Sequence, residues 1–317
     1  MLIYALRRLA GIAVLLVLLS MVMFGLLAAM PGDPEELLIS SNPQVKPEDV
    51  KRLRALYGLD DPVPVRYAKW VKMLVVEHDL GFSRVYKKPV AEILGSRVAN
   101  TFELMALAMA LALTLAIPIG VYSAVRQYSA FDYGMMLFAF VGISMPSFWL
   151  GIVAVIVFSL WLGLFPAGGM AAPGAGPLEQ LRYLALPMLV LAFESLGATS
   201  RYVRASLLEV LTQDYMRTAR AKGCGESRVI LRHGLRNALI PVVTVVALQL
   251  PNLFGGAVVI ETIFAWPGMG RLLLDSVMNT DYYVALISFM VLAALTLTCN
   301  LLADLAYAAL DPRVRLS

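Results

Sequence analysis

Residues 104–125 read LMALAMALALTLAIPIGVYSAV, a run of twenty-two positions without one charged side chain. As a helix it would rise about 33 Å, enough to cross the roughly 30 Å hydrocarbon core of a bilayer. It is apolar on every side, so it has no face to turn toward water. That combination predicts a membrane span. The same pattern recurs outward in both directions: Leu9–Gly32, Tyr133–Leu178, Asn237–Ile260 and Tyr282–Ala303 carry no charge, and Tyr183–Ser200 is broken only by Glu194. The whole chain of 317 residues is 60% hydrophobic and 15% charged, with a mean hydropathy of +0.76. A soluble domain carries about a quarter charged residues, and one of this size cannot bury so many long apolar helices on all sides.

Six spans follow, at 9–30, 103–125, 134–161, 183–203, 238–258 and 283–308, an all-α polytopic architecture. The long third interval holds one span, because Phe165–Pro177 (FPAGGMAAPGAGP) is dense in helix breakers. The first run is about twice the length of a secretory h-region and is followed by further spans, so it reads as a span rather than a cleaved leader. Lys and Arg set the orientation. Arg7, Arg8, Arg126, the eight from Arg201 to Arg236, Arg313 and Arg315 share one side, against Arg182 and Arg271 in the short loops opposite. Both termini are therefore expected in the cytoplasm, and the basic segment after the fourth span with them.

Segment 31–99 is expected to lie outside and to be ordered, with helical spacing in Asp49–Tyr57 and an amphipathic helix over Pro64–Val76. Pro118, Pro146, Pro187, Pro241 and Pro251 are expected to bend the spans. Gly134, Gly142, Gly151, Gly197, Gly255 and Gly256 would permit close helix contacts. Cys224 and Cys299 fall in different environments, which argues against a structural disulfide, and His78 and His233 form no metal-ligand cluster.

The basic segment runs RTARAKGCGESRVILRHGLRNALIP, Arg217–Pro241. It reads as a helix over Ser206–Lys222, a break at Gly223 and Gly225, and a second helix over Glu226–Arg236. Such a surface suits protein docking, and its charge equally suits anionic lipid headgroups.

With these residues in place the chain resembles the permease subunits of ATP-binding-cassette importers, whose cytoplasmic "EAA" loop runs Glu-Ala-Ala, three residues, Gly, and later Leu-Pro. Here the triplet is Arg217-Thr218-Ala219, the glycine is Gly223 and the final pair is Ile240-Pro241. These departures are similar to the dipeptide/oligopeptide branch. Further matching stretches are Met30–Pro34 (MPGDP), Tyr57–Pro62 (YGLDDP), Asp79–Ser83 (DLGFS), Asn100–Leu104 (NTFEL), Ser144–Leu150 (SMPSFWL), Leu164–Gly169 (LFPAGG), Glu261–Arg271 (ETIFAWPGMGR) and Asn300–Arg313 (NLLADLAYAALDPR). His78 stands where relatives commonly have Gly, and reads as a neutral loop change.

The resemblance implies a type I importer permease fold: a first span (1–30), an extracytoplasmic segment (31–99), a five-helix core (100–310) with a coupling loop at 205–236, and a cytoplasmic tail (311–317). It implies that Arg217, Thr218, Ala219, Arg220, Ala221, Lys222 and Gly223 dock in a groove of an ATPase subunit, the alanines entering it and the cations pairing with acids on its rim. It also implies two ATPase subunits, a homologous second permease chain and an extracytoplasmic substrate-binding protein, all in the cytoplasmic membrane. No G-x-x-x-x-G-K-[ST] loop is present, so no cofactor is expected in this chain and ATP is expected to be used by the partners; the chain itself is not expected to be an enzyme. Peptides are the expected cargo, with nickel chelates, glutathione or another small ligand as alternatives on the same machinery.

Glu194 is the one charge in the middle of a span. It either bonds a neighbouring helix, the commoner use of an intramembrane carboxylate, or lines the translocation path and meets a peptide's ammonium group. A stand-alone secondary transporter would need coupling-ion sites near the midplane, and Glu194 alone does not make one. An intramembrane enzyme would need a mutually placed nucleophile, acid and base, and no such set lies on adjoining spans.

Overall fold

The computed structural model describes residues 2–29 and 61–310. The expected helix at Asp49–Tyr57 and the tail 311–317 lie outside the described residues. Helix α1 (Leu2–Ala28) is followed by the outer helix α2 (Val63–Val75) and a small antiparallel hairpin, β1 (Phe82–Ser83) and β2 (Lys88–Pro89), with Phe82 opposite Pro89 and Ser83 opposite Lys88. Then come α3 (Val90–Val125), α4 (Ala130–Ser144), α5 (Ser147–Ala154) continued by π-helical turns at Val155–Trp161, and α6 (Pro177–Leu211). The chain ends with α7 (Asp214–Ala221), α8 (Glu226–Arg228) with π turns at Val229–Leu235, α9 (Arg236–Ile263), α10 (Met269–Met278) and α11 (Tyr282–Leu310). Among the described residues, five helices are each long and apolar enough to cross a membrane.

The sixth expected span is different. Residues 130–142 and 147–161 meet at a bend of 104°, so the third apolar interval is a broken pair rather than a kinked rod. Proline supplies the reason: Pro146 lacks an N–H and holds Met145 extended, at ψ 128°, which ends α4 and starts α5. Pro118, Pro187, Pro241 and Pro251 are instead absorbed inside α3, α6 and α9.

The centre of the bundle is the packing of α3 on α6. They run to 36 and 35 residues, about 54 and 52 Å, well beyond the bilayer core. At their crossing a Cβ on Gly120 would lie 2.6 Å from Val203 Cβ and 2.7 Å from the Ser200 carbonyl oxygen. Gly197 similarly faces the Ala139 backbone of α4. Of the glycines expected at helix contacts, Gly142 and Gly151 also meet neighbouring side chains, whereas Gly134 and Gly255 face open space. Helix α9 packs between α6 and α11, and α1 lies against α11, where Arg8 bridges to Asp304 at 3.0 Å. In α2, Trp70 is buried and Tyr67 packs edge-on to Phe24 of α1, its hydroxyl 2.8 Å from Ser20 Oγ, while Val65 and Val75 stay exposed.

Motifs far apart in sequence meet at the end of the bundle that carries the hairpin. Glu261, fully buried, accepts from Thr101 Oγ1 (2.6 Å), Gly270 N (2.7 Å) and Arg271 N (3.2 Å). Thr101 Oγ1 in turn accepts from Met269 N, and Asn100 Nδ2 donates to the Pro267 carbonyl. The Phe264 carbonyl accepts from Gly169 N at 2.7 Å. The hairpin is fixed to the last span by Ser83 Oγ, which donates to buried Asp281 at 2.6 Å. These buried polar groups are paired within the 261–271 loop or with Asn100, Thr101, Gly169 and the hairpin, as burial away from water demands. His78 has φ of 52°, a left-handed conformation that glycine adopts more easily than any L residue. The substitution seen at the level of sequence is therefore not neutral for the backbone.

The cap's glycines are required by space. A Cβ on Gly270 would stand 2.5 Å from Val258 Cα, whereas Gly134 has no atom within 4 Å. Gly270→Ala is expected to lower the stability of the detergent-solubilised chain by about 1–3 kcal/mol, read as a fall in the thermal midpoint, with Gly134→Ala near wild type. Equal midpoints for the two variants would contradict the close packing described.

Candidate functional site

The basic segment folds as an elbow at the other end of the bundle, beyond the last turns of α6. The sequence carries no Gly or Pro between 206 and 222, yet the helix stops at Thr212. Thr212 Oγ1 bonds back to the Glu209 carbonyl at 2.8 Å and Gln213 turns extended, with ψ of 151°. Side-chain bonding of this kind competes with the helix, and Asp214 then opens α7 with its charge at the favourable end of the helix dipole.

Gly223 closes α7. Its φ is 75°; Cys224 N donates to the Ala219 carbonyl and Gly223 N to the Arg220 carbonyl. These two bonds are the Schellman arrangement, in which a glycine just past the helix turns the chain and satisfies its last carbonyls. The glycine spacing noted in the sequence thus has a backbone cause. The next residues reverse direction into α8, and Arg220 reaches across the turn to Glu226, Nη2 to Oε1 at 2.9 Å and Nε to Oε2 at 3.2 Å. These hydrogen bonds hold the Glu226 carboxyl below the usual carboxylate range.

One face of α7 is planted in the bundle. Met216 and Val229 have no exposed surface and Ala219 is buried beside them, with Leu207 of α6 equally enclosed. Gly234 leaves room: a Cβ there would sit 3.2 Å from Leu207 Cδ1 and 3.3 Å from Met216 Cε. Burying one such methionine contributes about 1.5–3 kcal/mol. Ser206 Oγ also donates to the Ala238 carbonyl at 2.8 Å, joining α6 to α9.

Of the expected docking residues, Arg217, Thr218, Arg220, Ala221, Lys222 and Gly223 are exposed together on the elbow, and Ala219 is not. Ala219 belongs to the platform, leaving Ala221 as the small outward residue. Arg220 is engaged within the chain, so the outward cations are Arg217, only loosely paired with Asp214 at 3.6 Å, and Lys222. Sequence spacing placed all seven in one segment without distinguishing the two sides.

A residue that sequence reasoning missed fastens the elbow's base. Asp132, on the first turn of α4, is buried and takes a two-point ion pair from Arg204 of α6, both contacts 2.7 Å. Tyr128 N also donates to Asp132, and Asp132 N is capped by Ser129 Oγ. The only sequence signal was an acid beside a loop facing a cationic helix. Glu194 lies on the exposed face of α6, and among the described residues it has no hydrogen-bond or ion-pair partner. The expected bond to a neighbouring helix of this chain is therefore not made.

Residues 116–316 match the family model described as "Binding-protein-dependent transport system inner membrane component", and residues 1–117 match that of its N-terminal region. The oligopeptide transport system permease protein AppB of Bacillus subtilis (strain 168) is 41% identical, covering 98% of both chains. A putative peptide permease protein of Brucella suis biovar 1 is 41% identical over the full length of both. The dipeptide transport system permease protein DppB of Alkalihalophilus pseudofirmus is 37% identical, covering 99% of this chain and all of that one. The crystal structure of an amino acid ABC transporter with histidines shares the fold at a TM-score of 0.50 and 16% identity, over 69% of this chain and 94% of the other. A multi-pass chain with an elbow of this construction and full-length relatives of this kind belongs to the binding-protein-dependent transport system inner membrane components, the permease subunits of ABC transporters.

Proposed function

We propose that this chain is a permease subunit of a type I importer that carries dipeptides and oligopeptides across the cytoplasmic membrane, with both termini inside. The full-length relatives, named as oligopeptide, peptide and dipeptide permeases, support peptides over nickel chelates or glutathione as cargo. In this reading two ATPase subunits, a homologous second permease and an extracytoplasmic binding protein complete the machine. The observation that carries it is the elbow: an exposed, Schellman-capped helix end standing on a fully buried methionine.

The mechanics follow from that geometry. A groove on an ATPase subunit receives Ala221 to Gly223, with Arg217 and Lys222 against acids at its rim. When two ATPases close on ATP, the elbows move with them. Because Met216 and Val229 are buried together against Val210 and Leu211 of α6, the motion passes to α6 as a rigid-body displacement rather than being lost in the loop. The hairpin end of the bundle, with α2 and the Glu261–Asp281 segment, is the surface nearest the delivery protein. A secondary transporter needs no such elbow, and copurification with an ATPase separates the two readings.

Two outcomes test the proposal. In proteoliposomes holding the assembled complex, ATP-dependent uptake of a labelled dipeptide is expected, with none of a nickel chelate or of glutathione. Uptake of the chelate in place of the peptide would reassign the cargo. Gly223→Arg places an L side chain at a positive φ on the docking surface, and is expected to cut uptake to background while the chain remains in the membrane at wild-type level. Ala219→Glu is expected to act differently: a charge driven into the Met216–Val229 contact should lower the chain's stability by more than about 2 kcal/mol. If Gly223→Arg transports normally, the coupling role is lost.

A further inference from the structure

The exposed face of α6 is divided by chemistry. At 3.6 residues per turn, positions 194, 198, 201, 202, 205 and 209 fall within about 100° of arc. All are exposed except the half-buried Ala198, and they bring Glu194, Arg201, Tyr202 and Glu209 into one stripe. On the opposite side of the helix, within the 183–203 span, Leu189 is 45% exposed. Arg201 and Glu209 lie at and beyond the elbow-side end of the span, whereas Glu194 is an exposed charge within it, which hydrocarbon does not cover. The stripe also has ends. Toward the hairpin its face is closed by buried Pro187 and Leu191, the latter set against Gly256 of α9. Toward the elbow it opens into a groove between α6 and α9, lined by Tyr202, Ala205, Ser206, Glu209, Pro241 and Val242.

The charges on the stripe are not alike in their freedom. Arg201 lies over the Phe140 ring of α4, 5.0 Å from its centre. Glu194 has no partner among the described residues. It stands where the closed part of the face ends and the open part begins.

We propose that this face of α6 is the wall of the translocation path in its elbow-side half, and that the Glu194 carboxylate receives the protonated amine of the passing solute. This rests on the importer reading and adds to it a recognition group. The occupant is a zwitterionic or cationic solute with a free ammonium end, as an unblocked peptide has. The carboxylate supplies the complementary charge at the narrow end, and Glu209 repeats that charge at the groove. An anionic solute of the same size meets like charge at both places.

The test uses the whole reconstituted complex with Cys224→Ser and Cys299→Ser in this chain. Single cysteines, Ala198→Cys on the stripe and Leu189→Cys on the opposite side, are titrated with cationic and anionic water-soluble thiol reagents of equal size. Ala198→Cys is expected to react and Leu189→Cys to stay inert. The cationic-to-anionic rate ratio at Ala198→Cys is expected to fall several-fold when Glu194→Gln is added. An unreactive Ala198→Cys means that the second permease or lipid seals the face, and overturns the wall. A ratio unmoved by Glu194→Gln overturns the carboxylate's role. Dipeptide uptake by the same vesicles before labelling reports separately on the importer reading.

Discussion

Met216 is the contact on which the rest depends. It is a wholly enclosed side chain on a short helix whose only other buried residue is Ala219, and it is held by Val229, by Val210 and Leu211 and by the space left at Gly234. Without that anchorage α7 would be a basic loop with an unmade interface, since eight residues in water do not sustain a helix. With it, the exposed side of the elbow has fixed coordinates relative to α6. The two-point Asp132–Arg204 pair extends the same fixation to α4, so the base of the elbow is tied to two spans.

The opposite end is built by a different rule. There the chain leaves helical geometry in a buried place, and partners within the loop and on distant segments take up its freed donors and acceptors. Glu261 collects N–H groups from the loop that follows it and the hydroxyl of Thr101, and the loop's own carbonyls are taken by Asn100 and Gly169. Helices α3 and α6, each longer than the bilayer is thick, join this cap to the elbow. A displacement applied at one end therefore reaches the other through two packed rods crossing at Gly120.

Much of this was legible beforehand. Charge-free runs revealed the spans because a charge in hydrocarbon is costly at any position, a property that needs no partner to be read. The glycine at 223 and the helix break it makes were also local, and were found. What escaped was whatever depended on a neighbour distant in sequence. Ala219 and Ala221 look identical in the chain, and only Met216 and Val229 decide which of them faces inward. Gly120 is pressed against Val203 and the Ser200 carbonyl but was not among the glycines expected at helix contacts, while Gly134, which was, packs against nothing. The stop at Thr212 uses a side-chain bond that propensity does not anticipate. The bend at Pro146 was expected as a kink and is 104°, because nothing in the sequence states how far a broken helix turns.

The central claim is that the elbow and the end of α6 move as one body. Paired spin labels at Lys222 and Glu209, in the assembled complex with both native cysteines replaced, measure this directly. The account predicts one narrow distance that stays the same with and without bound ATP, while the distance from Lys222 to a label on the hairpin at Val85 changes. A 222–209 distance that broadens or shifts when nucleotide binds would mean the elbow swings freely, and the coupling described here would have no lever.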